Sequence, residues 1–261
     1  MTLAYRESGS GPPLVMLHAF PLSAAMWEHQ YGPLGRVSRL VTPDSPGFGR
    51  SPSTQREPSL DVIADEVNDL LDQLGLDAVV LGGLSMGGYV TMAFLRRHSE
   101  RVRAVVLADT KAGADAEAAR ANRERIAEAM LATGDTAALA EEMVPTLLGK
   151  TTMQTRPGVV ELVRSHIRAS EPAAVAWAQR AMAARPDSVD TLKNAGLPAL
   201  VIVGEEDVLT PPAEAEAMAS ALPNADLVRI PQAGHLSALE HAAAFNDAIT
   251  SWLSNLAPDA P

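Results

Sequence analysis

Apolar positions along this chain follow two alternating rhythms. Leu14-Val15-Met16-Leu17, Arg39-Leu40-Val41-Thr42, Ala78-Val79-Val80-Leu81-Gly82 and Val102 to Leu107 are short, nearly continuous apolar runs. Runs without polar alternation suit parallel strands buried on both faces. Between them, Leu60, Ile63, Val67, Leu70, Leu71 and Leu74 recur at three- and four-residue spacing, which predicts a helix from Ser59 to Leu74. Ser59 is placed to cap its start and Gly75 to stop it. A second helix is expected from Tyr89 to about His98. Strands alternating with helices imply right-handed crossovers and an open, mostly parallel sheet with helices on both faces.

From about Ala112 to Asn194 the strand-like runs stop. The segment is rich in Ala, Glu, Arg and Met, is punctuated by Pro145, Pro157, Pro172 and Pro186, and reads as four or so short helices. The α/β rhythm then resumes with Ala199 to Val203, a helix from about Pro212 to Leu222, a strand from Leu227 to Ile230 and a last helix from about Ala238 to Leu253. The expected organisation is a core in two parts, residues 1–111 and 195–261, with residues 112–194 as a helical cap inserted after the sixth strand. Such a cap would lie over the sheet's C-terminal edge, where open α/β sheets bind ligands. The tail Pro258 to Pro261 is expected to fray.

Composition narrows the possible partners. The 261 residues are 47% hydrophobic and 20% charged, as in a globular protein. The formal net charge is -11, and Lys111, Lys150 and Lys193 are the only lysines. Such an acidic chain repels phosphate backbones and anionic lipid, so neither nucleic acid nor a membrane surface is an expected partner. Cys is absent, which removes disulfides, thiolate metal sites and a Cys nucleophile. No secretory pattern opens the chain and no apolar run approaches a membrane span, so a cytoplasmic location is expected.

The chemistry gathers at the ends of the strand runs. Gly83-Leu84-Ser85-Met86-Gly87 sits between a strand and a helix, with a serine at the apex of a sharp turn. A serine hydroxyl attacks well only when a neighbour takes its proton. The turn exposes the serine and aims the Met86 N–H at an oxyanion forming on an attacked carbonyl. His235 follows the last strand run in Pro231-Gln232-Ala233-Gly234-His235, at the same sheet edge, and is the candidate base. His29, His98, His166 and His241 lie in helical stretches. For the orienting carboxylate, Asp207 in Gly204-Glu205-Glu206-Asp207 is best placed. Asp109, ending the sixth strand, is the rival, while Asp44 reads as a turn-forming carboxylate. Glu205 and Glu206 read as solvated neighbours.

The order Ser85, Asp207, His235 matches that of α/β-hydrolases. With His18-Ala19-Phe20-Pro21 and Asp44-Ser45-Pro46-Gly47-Phe48-Gly49-Arg50-Ser51, these motifs make the whole chain resemble an α/β-hydrolase-fold protein. It is most similar to small cap-bearing esterases, 3-oxoadipate enol-lactonase-like hydrolases and the cofactor-free haloperoxidase/perhydrolase group. The resemblance implies that the Phe20 N–H is the second oxyanion donor, that Ala19 stands where the family usually has glycine, and that His18 braces the loop.

The expected activity is hydrolysis of a carboxylic ester or lactone through an acyl-enzyme on Ser85, with no metal or organic cofactor. Perhydrolysis on the same residues is the alternative, and a non-catalytic receptor for a small ligand is the reading from another class. Trp177, Met130, Met143 and Met182 are candidates for the lining of the substrate pocket, although helix packing explains most such side chains, Met153 included. Arg164, Arg168 and Arg180 are candidate partners for a substrate carboxylate, against a plainer role as solvated cap residues. A homo-oligomer is compatible with the sequence.

Overall fold

A computed structural model of the chain describes residues 3–256. Seven strands form one sheet: β1 (Tyr5–Ser8), β2 (Pro13–Leu17), β3 (Arg39–Pro43), β4 (Val79–Leu84), β5 (Val102–Ala108), β6 (Ala199–Gly204) and β7 (Ala225–Ile230). Their spatial order is β1-β3-β2-β4-β5-β6-β7. All neighbours run parallel except β1 and β3. Five strands rather than the expected six precede the inserted helices, which follow β5. The apolar runs lie where the pattern put them. β4 and β6 are buried at every position, as expected of central strands covered on both faces.

Some short elements escaped the pattern. β1 has only an edge strand's partial burial and no apolar run to announce it. The short helices Ala24–Trp27 and Tyr31–Gly35 are a single turn each and carry no readable period. The helix Leu60–Gln73 starts at Ser59, whose Oγ accepts from Asp61 N, and Gly75 follows it with φ +64°. The last helix is interrupted at His241, giving Ser237–Glu240 and Ala242–Asn255. The tail from Pro258 lies outside the described residues.

Between β5 and β6 stand six helices rather than four: Glu117–Thr133, Thr136–Leu147, Lys150–Thr155, Pro157–Arg168, Pro172–Ala183 and Val189–Lys193. Pro157 and Pro172 occupy first helical positions, where a missing N–H costs nothing. Pro145 instead lies inside a helix. The segment's core joins the main one through residues such as Ile126, Met130, Val163 and Val175, all buried. No helix among the described residues is long and apolar enough to cross a membrane.

Candidate active site

β4 ends at Leu84 and a helix (Met86–Arg97) begins two residues later, so the chain must reverse at Ser85. Ser85 takes φ 56°, ψ -112°, a conformation most residues avoid. Its surroundings enforce it. Ser85 N donates to Ala108 O at 2.9 Å, and Tyr89 N donates to Ser85 O at 3.2 Å. Thr110 Oγ1 also donates to Ser85 O, at 2.9 Å. A Cβ on Gly83 would lie 2.1 Å from Gly87 C, and one on Gly87 would lie 2.2 Å from Leu17 O. Only glycine permits that close approach.

His235 is held in the loop after β7 and is almost wholly buried, at 3% exposure. Ser85 Oγ donates to its Nε2 at 2.7 Å. Its Nδ1 donates to Asp207 Oδ2 at 2.8 Å. An ionised carboxylate only accepts, so Asp207 fixes the ring proton on Nδ1 and leaves Nε2 free to receive the serine proton. Asp207 is itself fixed by Leu209 N and Thr210 N on Oδ1, at 2.8 and 3.0 Å, and by Thr210 Oγ1 on Oδ2 at 2.7 Å. Burial opposes ionisation of Asp207, but the charge and hydrogen bond of His235 outweigh it and hold the carboxyl below its usual range. Burial likewise works against a charged His235, and the Asp207 charge and hydrogen bond outweigh that, raising the imidazole.

Asp109 is the neighbour that sequence could not separate cleanly from Asp207. It lies one strand away and makes no hydrogen bond to His235. Its Oδ1 accepts from Gly204 N at 2.8 Å, and its Oδ2 from Ser237 N and Ser237 Oγ at 3.1 and 2.5 Å. Full burial, with the Asp207 charge beside it, pushes its carboxyl up to about 8. It splices the end of β5 to the end of β6 and to Ser237, two residues after His235.

Phe20 lines the cavity in front of Ser85, next to His18, whose ring is spent on the loop itself. His18 Nδ1 donates to Ala19 O, and its Nε2 accepts from Ser45 N, both at 2.9 Å. Asp44 accepts from Ala24 N at 2.7 Å and Arg50 N at 3.0 Å, so it closes a turn. Met86 is the first residue of its helix, where N–H groups lack an intrahelical partner.

The cavity holds about 390 Å³ and runs from Ser85 and His235 to the helices above. Of the methionines and tryptophan expected there, Met143 and Met182 line it. Met130 and Trp177 do not. Met130 is packed in the core at 5% exposure, and Trp177 Nε1 donates to Arg56 O at 2.8 Å on the far side of its helix. Arg164 and Arg168 are paired with Glu141 and Glu161, and Arg180 with Glu124, all outside the cavity. The cavity's own cations are Lys111 and Arg123. Sequence reading passed over both. Lys111 was legible as a residue just past a strand end, whereas Arg123 is one arginine of many on a cap helix.

The cap is also tied to the catalytic loops. Glu206 accepts from Thr151 N at 2.8 Å and Thr151 Oγ1 at 2.6 Å, so it is an anchor rather than a solvated neighbour. Glu240 accepts from Gly149 N and Gly234 N, both at 2.8 Å. Among the described residues no group of three or more His, Cys, Asp or Glu side chains is arranged to hold a metal ion.

The alpha/beta hydrolase fold family matches residues 12–242. The chain belongs to that family. A pimeloyl-[acyl-carrier protein] methyl ester esterase of Aromatoleum aromaticum is 32% identical over 88% of this chain and 93% of its own. Among solved structures, a thermophilic esterase from Thermogutta terrifontis, with malate bound, is 41% identical at a TM-score of 0.94, covering 97% of this chain and 93% of that one. The enol-lactonase from Burkholderia xenovorans LB400 is 27% identical at a TM-score of 0.88, covering 97% and 96%. This hydrolase therefore stands among esterases and lactonases.

Proposed function

We propose that this α/β hydrolase cleaves carboxylic esters or lactones through an acyl-enzyme on Ser85. The observation that carries the reading is the unbroken relay Ser85 Oγ to His235 Nε2 and His235 Nδ1 to Asp207 Oδ2, at 2.7 and 2.8 Å, opening on a cavity. Ser85 attacks the carbonyl carbon while Nε2 takes its proton. Asp207 stabilises the imidazolium so formed. The N–H groups of Met86 and Phe20 receive the carbonyl oxygen as it becomes an oxyanion. The imidazolium returns its proton to the leaving alkoxide, and the bond from the alkoxide oxygen to the carbonyl carbon breaks. His235 then takes a proton from water, the resulting hydroxide attacks the acyl carbon, and the free acid leaves as Ser85 is reprotonated.

The named esterase and enol-lactonase relatives supply the substrate class by similarity. A rate panel of p-nitrophenyl esters and small lactones tests it. Ser85→Ala is expected to lower kcat by about 10⁴-fold or more on every substrate turned over. Near-wild-type hydrolysis by Ser85→Ala overturns the mechanism.

A further inference from the structure

At the cavity wall and just behind it, Lys111, Arg123 and Arg185 converge on a single carboxylate in a chain whose net charge is -11. That carboxylate is Asp115, 3% exposed. Three cations meet this one carboxylate. Arg185 reaches it with Nη1 at 2.8 Å and Nη2 at 2.9 Å. Arg123 Nε donates to its Oδ2 at 2.5 Å. Lys111 Nζ lies 3.4 Å from Oδ1. Burial opposes ionisation of Asp115, but the Arg185 hydrogen bond and the charge of Arg123 win and hold it well below the usual carboxylate range. It is therefore fully charged at neutral pH, and two of the three positive charges remain uncompensated by it.

Those charges border the empty space. Lys111, Asp115 and Arg123 all line the cavity that contains Ser85 and His235. Arg185 is buried behind them, its guanidinium 4.0 Å from the centre of the Tyr89 ring. Arg123 Nη1 donates to Gln179 Oε1 at 3.0 Å and approaches Met182 Sδ at 3.3 Å. Its Nη2 has no partner among the described residues. The one other carboxylate on the lining, Glu142, is engaged by Arg125. Three cations sharing one carboxylate beside a cleft leave positive charge that a ligand anion would complete. Charges more than about 8 Å away are screened at physiological salt, so this local excess outweighs the acidic surface.

We propose that Lys111 and Arg123 form a carboxylate subsite, so that the preferred substrates are esters or lactones carrying a free carboxylate. The remaining apolar lining, from Ile126, Met143, Leu147 and Met182, suits a short methylene chain between the ester carbonyl and that carboxylate. This rests on the hydrolase reading above. It moves the anion-binding role from the outer cap arginines, whose partners are already in place, to two residues at the cavity wall.

The test compares kcat/KM for the monomethyl esters of four- to six-carbon dicarboxylic acids with that for methyl esters of monocarboxylic acids of equal length. The wild type is expected to prefer the charged series. Lys111→Gln and Arg123→Gln should each cut that preference roughly 10-fold or more, as for a lost hydrogen bond to a charged group, with the loss in KM. Arg164→Gln, outside the cavity, should leave the ratio unchanged. Raising the ionic strength should increase KM for the charged esters alone. Equal wild-type turnover of both series, or an unchanged ratio in both cavity variants, overturns the subsite and leaves the hydrolase reading intact. If Arg123→Gln fails to fold, Lys111→Gln and the salt dependence decide. Near-wild-type hydrolysis by Ser85→Ala instead overturns the acyl-enzyme mechanism on which the subsite rests.

Discussion

The rim of the sheet and the helices above it build one cavity by different means. At the rim, Ser85 and Asp207 sit within a few residues of a strand end and are held by main-chain groups. Ser85 is fixed by Ala108 O, and Asp207 by Leu209 N and Thr210 N. In the helical segment the polar wall residues are held by other side chains, Arg123 by Asp115 and Gln179. Backbone anchors are set by the register of the strands and leave little freedom. Side-chain anchors come from residues distant in sequence, such as Arg123 and Gln179, and are not set by strand register. The rim is thus suited to fixed chemistry, and the wall to selectivity.

The sharpest way to break this contrast is to attack the rim's backbone. Gly83→Ala places a Cβ against Gly87 main chain, which has no flexible end to yield. Overpacking of this kind costs about 1–3 kcal/mol, and the turn that carries Ser85 must shift. Activity should vanish, and calorimetry should show Tm lower by roughly 2–12 °C. Retention of both activity and Tm would contradict the close approach of Gly83 and Gly87.

The next prediction separates the two rim carboxylates. Asp207→Asn removes the charge that stabilises the imidazolium and is expected to lower kcat about 10⁴-fold. The pH profile gives the sign. In the proposed mechanism His235 works as a neutral base, and Asp207 raises its pKa, so in the wild type kcat/KM should fall as pH drops through a value above 6.5. In Asp207→Asn the residual activity should lose its acid limb toward lower pH. Asp109→Asn removes an acceptor for Gly204 N or Ser237 N. Its cost should appear mainly in stability, about 1–3 kcal/mol for an unsatisfied buried donor, and the acid limb should stay close to its wild-type position, because burial already keeps the Asp109 carboxyl largely uncharged there. Equal losses of kcat in the two variants would erase the distinction between them.

The smallest effect belongs to the far side of the cap. Trp177→Phe deletes the donor to Arg56 O and touches no cavity residue. It should cost about 1 kcal/mol of stability, and leave kcat/KM on the ester panel within roughly twofold, an effect below that of a single tenfold free-energy step. A large change in substrate preference would place the binding wall elsewhere.

Much of the sheet was readable because burial on both faces writes itself as unbroken apolar runs, as in β4 and β6. β1 was not, because an edge strand of four residues has neither length nor pattern. The elbow was readable because three constraints coincide in five residues. Two glycines are required by main-chain contact, and a serine stands where a strand becomes a helix. The residues of the cavity wall were harder. Met130 and Met182 look alike in sequence, and only helix orientation puts one in the core and the other on the cavity. Arg123 and Arg180 are likewise indistinguishable until Asp115 and Glu124 are seen to claim them.

The sequence by itself determined the alternation of strand and helix, the strained turn at Ser85, and the order of Ser85, Asp207 and His235. These follow from local periodicity, local sterics and residue chemistry, all of which act within a few positions of the chain. Only the tertiary structure decided that Asp207 rather than Asp109 meets the imidazole, and that Lys111 and Arg123 rather than Arg164, Arg168 or Arg180 border the cavity. Those choices depend on angles and distances between elements far apart in sequence. Asp207 and His235 lie 28 positions apart, Ser85 and His235 lie 150 apart, and both pairs close to within hydrogen-bond reach only when the sheet is assembled.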